Sequence, residues 1–193
     1  MEHPVSLKKR LSFLALALAG VASAGCLHAQ NHAAGSQAST PGAADQSFLR
    51  KAASDGATEV ALGQLAMQHA QSGPTKEMAQ HLVTDHRRAN DELTGIATRK
   101  HVEVSARPDA EALAKEKSWG SGASYDQAYA QAMVKDHRDA VSLFTKATES
   151  KDPDIRQFAQ TTLPVLKQHL SMAEALAKGD ETHTSTSPGA AHP

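Results

Sequence analysis

Helix breakers fall along this chain at intervals that leave four stretches of nearly equal length. Ser72-Gly73-Pro74 closes the first, Lys151-Asp152-Pro153 separates the last two, and a longer passage, 102–124, holds Pro108 and Gly120-Ser121-Gly122. The segments between them, 46–71, 75–101, 125–149 and 154–178, are each about 25 residues, or ~38 Å as α-helix. Within them the poor helix formers are Gly56, Gly63, Gly95 and Pro164. Apolar side chains recur at the helical period. Ala79, Leu82, Val83, Ala89, Leu93 and Ile96 share a face, as do Tyr129, Met133, Val134, Ala140, Val141 and Phe144, and again Phe158, Ala159, Leu163, Leu166, Leu170 and Ala173. Four amphipathic helices joined short–long–short predict an all-α four-helix bundle. The spacing predicts that the 23-residue connection, 102–124, crosses the bundle's length, with a short helix over 109–117 and Trp119 as its anchor. Pro164 is expected to kink or interrupt the fourth helix.

Composition agrees and excludes other classes. Aromatic residues make up only 4% of the 193, too few for the strands of a sandwich or barrel. A formal net charge of −1 offers no footprint for nucleic acid, so that class of partner is excluded. One cysteine, Cys26, excludes an internal disulfide framework, a Cys-x-x-Cys redox site and a cysteine-rich zinc site. No phosphate loop, Gly-x-Ser-x-Gly elbow or basic–aromatic patch occurs. No nucleophile or reaction is legible.

The second and third segments echo each other: Val83-Thr84-Asp85-His86-Arg87-Arg88-Ala89 matches Val134-Lys135-Asp136-His137-Arg138-Asp139-Ala140 at an offset of 51. The echo predicts two related hairpins about a pseudo-twofold axis. His86 and His137 lie on the apolar faces of their helices. His169 sits between Leu166 and Ala173 on the fourth, and Glu59 between Ala52 and Leu62 on the first. Counted from the helix ends, Glu59, His86 and His137 fall at one level, with His169 one turn away, ~6 Å along the axis. Three imidazoles and a carboxylate suit one transition-metal ion, zinc, iron or manganese. Asp85 and Asp136 stand beside the histidines, placed to serve as further ligands or to fix the imidazole tautomers. The competing reading is a buried, hydrogen-bonded His/Asp layer that sets helix register in a non-catalytic structural or interaction protein.

Gly56-Ala57-Thr58-Glu59-Val60-Ala61-Leu62-Gly63, Val83-x-Asp85-His86, Met133-Val134-Lys135-Asp136-His137 and Leu163-Pro164-x-Leu166-x-x-His169 together resemble an exported bacterial family of unknown function grouped with the ferritin-like four-helix bundles. The resemblance covers about 46–178. It implies the ferritin-like fold, a cell-envelope location and the same His/Glu pattern, but no established activity. Di-iron members of that superfamily supply Glu-x-x-His motifs from two helices. None occurs here, so the resemblance does not carry ferroxidase or oxygenase chemistry.

The ends of the chain read differently. Lys8, Lys9 and Arg10 precede an uncharged apolar run over 11–22, too short for a bilayer of ~30 Å. It is an expected export signal over 1–25. Ala22-Ser23-Ala24 suits ordinary signal peptidase. Ser23-Ala24-Gly25-Cys26 resembles a lipobox with serine where leucine is usual, which would lipidate Cys26 and tether the protein to a membrane. Both routes place the mature protein in the periplasm or on the outer membrane, facing an envelope partner that the sequence does not name. Segments 26–44 and 179–193 are small and polar, a linker and a disordered tail, leaving 45–178 as the folded domain.

Overall fold

The computed structural model describes residues 40–179. The expected export signal, Cys26, most of the linker and nearly all of the tail lie outside the described residues. The described residues form five helices and no strand: α1 Ala43–His69, α2 Gly73–Arg99, α3 Ala110–Glu116, α4 Ala123–Ala147 and α5 Pro153–Ala177. None of them is long and apolar enough to cross a membrane.

Local chemistry sets the helix starts. Ser72 Oγ accepts from Thr75 N at 3.1 Å, with Pro74 in the first turn, where its missing N–H costs nothing. Asp109 caps α3 through Glu111 N at 2.7 Å, and Asp152 caps α5 through Asp154 N at 3.0 Å. α2 ends in a Schellman turn: Val102 N donates to Ala97 O and His101 N to Thr98 O, with His101 at φ 56° in the position glycine usually holds. His101→Gly is therefore expected to stabilise the protein by about 0.5–1 kcal/mol, read by chemical denaturation. α5 runs unbroken through Pro164, so the expectation of an interruption there is corrected. Packing on its neighbours outweighs the one lost backbone hydrogen bond.

The four long helices pack in the cyclic order α1, α2, α5, α4. Asp126, in the first turn of α4, accepts from Gln71 N and Ser72 N in the α1–α2 turn at 3.0 and 2.9 Å. At the opposite end Lys100, just past α2, reaches Asp152 and Asp154 at 2.8 and 2.9 Å. α2 and α4 thus run the same way on one diagonal, and α1 and α5 run the other way. The echo joins the second helix of one hairpin to the first helix of the other. The connection, expected to cross the bundle's length, returns along α1. Asp109 N donates to Thr58 Oγ1 at 2.8 Å, and buried Glu116 accepts from Tyr125 Oη at 2.9 Å and meets His69 Nδ1 at 2.9 Å. Trp119 packs on Tyr125 and Tyr129 with ring centroids 5.7 and 6.3 Å apart.

The core has two apolar halves. One holds Phe48, Leu93, Phe144, Ile155 and Phe158, and the other Leu62, Met78, Leu82, Tyr129 and Met133. On each long helix the switch between halves occurs at a single ionisable residue: Glu59, His86, His137 or His169.

Candidate metal centre

All four of those side chains are buried, and they meet. Glu59 Oε2 lies 2.9 Å from His86 Nε2 and 3.3 Å from His137 Nε2. His137 Nε2 is 3.3 Å from His169 Nδ1, and the three imidazoles offer nitrogens within 4.8 Å of one another. The level mismatch expected for His169 is closed by side-chain direction. Helical side chains lean toward their own N-terminus. His169 lies farther from the α4–α5 turn than His137, on a helix of opposite direction, so the two rings lean toward each other. Glu59 and His86 are related in the same way about the α1–α2 turn.

Helix α1 also approaches α2 closely at this level. A Cβ on Gly56 would collide with the Asn90 amide, and one on Gly63 would stand 2.7 Å from Val83 Cγ2 and 3.1 Å from the Ala79 carbonyl oxygen. Two glycines, one turn to either side of Glu59, let its short carboxylate arm reach His86.

The hydrogen bonds around the rings decide their tautomers. His137 Nδ1 is 3.0 Å from the Met133 carbonyl oxygen, which only accepts, so the proton sits on Nδ1. His169 Nε2 is 3.1 Å from Asp85 Oδ2. The His169 hydrogen bond outweighs burial and holds the Asp85 carboxyl below its usual range, so Asp85 is ionised and Nε2–H donates. Neutral His137 and His169 therefore present bare lone pairs to each other across 3.3 Å. Burial, against the pull of Glu59, pushes His137 down to about 4, and burial also lowers His169. For Glu59 burial opposes the charge, but His137 and His86 outweigh it and hold the carboxyl at about 2. His86 is raised: burial opposes its proton and the Glu59 carboxylate prevails. Despite their 2.9 Å separation, Glu59 Oε2 and His86 Nε2 are not aligned as a hydrogen bond.

Such a buried triad can hold a metal ion. With ligand bonds of ~2.0–2.1 Å, neighbouring ligand atoms stand about 3.3 Å apart in a tetrahedral set and about 2.9 Å apart in an octahedral one. Three of the separations among the four ligand atoms, 3.3, 3.3 and 2.9 Å, lie in that range.

Asp85 takes the tautomer-fixing position expected of it; Asp136 does not. It hydrogen-bonds none of the three rings, and its nearest cation is Lys135 at 3.8 Å. The diagonal relation explains the difference. Asp85 on α2 faces His169 on α5, whereas the corresponding neighbour of Asp136 is α1, which carries Glu59. Burial first, and then repulsion by Glu59, raise Asp136 to about 6. A carboxyl whose folded pKa is raised costs stability above that value, and the cost vanishes as pH falls toward the unfolded value. In metal-free protein at pH 7, Asp136→Asn should stabilise by about 1 kcal/mol, allowing for solvent screening of a side chain 37% exposed. The gain should disappear between about pH 6 and 4 in melts across that range. One polar group near the site escaped the sequence reading, which took Tyr129 as apolar: its buried hydroxyl has no hydrogen-bond partner among the described residues.

Over residues 28–176 the chain matches the family described as a domain of unknown function (DUF4142). The chain belongs to this family. The DUF4142 match takes in all four buried residues of the centre together with the Asp85 support. No curated protein and no solved structure matches the chain.

Proposed function

We propose that this DUF4142 protein is an exported cell-envelope protein whose four long helices form a ferritin-like bundle around one transition-metal ion. Glu59, His86, His137 and His169 hold the ion, and Asp85 orients His169. The observation that carries the reading is the 3.3 Å approach of His137 Nε2 to His169 Nδ1, with the far nitrogen of each ring engaged by a hydrogen bond, which assigns bare lone pairs to the facing atoms. Two bare lone pairs at 3.3 Å repel unless a cation lies between them. A mixed imidazole–carboxylate set suits zinc, iron or manganese. Export rests on the sequence: the basic Lys8-Lys9-Arg10, the apolar run after it and the small residues before Cys26. Lipidation of Cys26 would tether the domain to a membrane, where its outer helix faces meet an envelope partner. Mass spectrometry of the mature N-terminus distinguishes a diacylated Cys26 from cleavage after Ala24.

The metal is tested by melting chelator-treated protein with zinc(II), manganese(II) or iron(II) added back. The melting temperature should rise for at least one of them. The stabilisation should be about 4 kcal/mol at a thousandfold excess over Kd. A second reading, a non-catalytic protein with a metal-free polar layer, draws on the Glu59–His86 ion pair at 2.9 Å, which satisfies charge without an ion. Identical melts with every metal would favour it.

A further inference from the structure

A small cavity of about 30 Å³ adjoins the centre. Glu59 and His86 form part of its wall, beside the polar Asn90 and Thr162 and the rings of Phe144 and Phe158. That is room for one or two water-sized molecules, and Asp55 is the third ionisable group of the wall. Outside it, between α2 and α5, lies a cleft of about 250 Å³ bordered by Asp85, Arg88, Glu92 and Val165. Ala89 and Thr162 belong to both walls, so they stand between the cleft and the cavity.

We propose that the metal centre binds an exogenous ligand of two or three heavy atoms, which passes Ala89 and Thr162 from the α2/α5 cleft and occupies this cavity. The inference rests on the metal reading above and extends it from holding an ion to presenting one. Glu59, His86, His137 and His169 would supply four ligand atoms, which would leave an ion of higher coordination number positions for an exogenous ligand, and Glu59 and His86 stand together at 2.9 Å. The cavity lies against those same two side chains. Its volume excludes sugars, phosphates and amino acids. Its largely apolar wall favours weakly hydrated diatomic donors, dioxygen or nitric oxide, for which azide serves as a probe of the metal's open position. Asn90 and Thr162 supply the hydrogen bonds for the ligand's distal atom.

The test loads the protein with cobalt(II), whose visible bands report coordination, and titrates azide. The bands of the wild type should shift and saturate. Thr162→Leu, which fills the space between cleft and cavity, should keep its cobalt and slow azide association by at least about tenfold. Ala89→Val makes the same test should Thr162→Leu not fold. Cobalt bands in the wild type that azide leaves unchanged would overturn this inference and leave the metal reading standing. Equal rates of azide association in wild type and both variants would overturn the route. Protein that takes up no cobalt would overturn the metal reading, and this one with it.

Discussion

His137→Leu should leave the metal-free protein as stable as the wild type or more so, and abolish every metal-dependent rise in melting temperature. His137 is fully buried, with Nε2 3.3 Å from both Glu59 Oε2 and His169 Nδ1. Leucine fills much the same volume, so the cavity cost of roughly 2–5 kcal/mol that alanine would incur is avoided. A buried polar cluster replaced by apolar atoms is often neutral or stabilising. The Glu59–His86 ion pair survives in the variant, so no charge is stranded. Only the ligand is lost, and with it about 4 kcal/mol of stabilisation at a thousandfold metal excess. The opposite pattern, a large loss of metal-free stability with the metal response intact, would mean that His137 supports the fold and holds no ion.

Two helical glycines should respond to substitution with opposite signs. Gly63→Val should cost about 3 kcal/mol, because its side chain would enter the space of Val83 Cγ2 and the Ala79 carbonyl and force α1 off α2. Glu59, one turn away, would be drawn back from His86, so metal affinity should fall as well. Gly95→Ala meets nothing closer than the Arg99 guanidinium at 3.5 Å and gains helix propensity, about 0.5–1 kcal/mol. Urea titration of both variants is the check, read as a shift of midpoint at constant slope.

The glycines of α1 mark where the sequence stops being legible. By pattern alone Gly56 and Gly63 are blemishes in a helix; in the structure they set the α1–α2 separation at the centre. The helices themselves were readable because breakers and apolar period agree. Glu59, His86, His137 and His169 were readable because each is an ionisable residue on an otherwise apolar face. Convergence of four such residues needs only helix lengths and directions. Asp136 misled because an echo in sequence implies equal roles, whereas role depends on the neighbouring helix, and Asp136 faces a carboxylate where Asp85 faces an imidazole. The buried Glu116 that ties α3 to His69 and Tyr125 is a tertiary fact with no local signature. Two-faced side chains such as Tyr129 count as apolar in any periodicity, which conceals their hydroxyl.

The most direct measurement is the metal content of the purified protein after loading and removal of excess ion, beside His86→Ala and His137→Ala. The account predicts one metal ion per chain in the wild type and none in either variant. A well-folded wild type that retains no metal would contradict it.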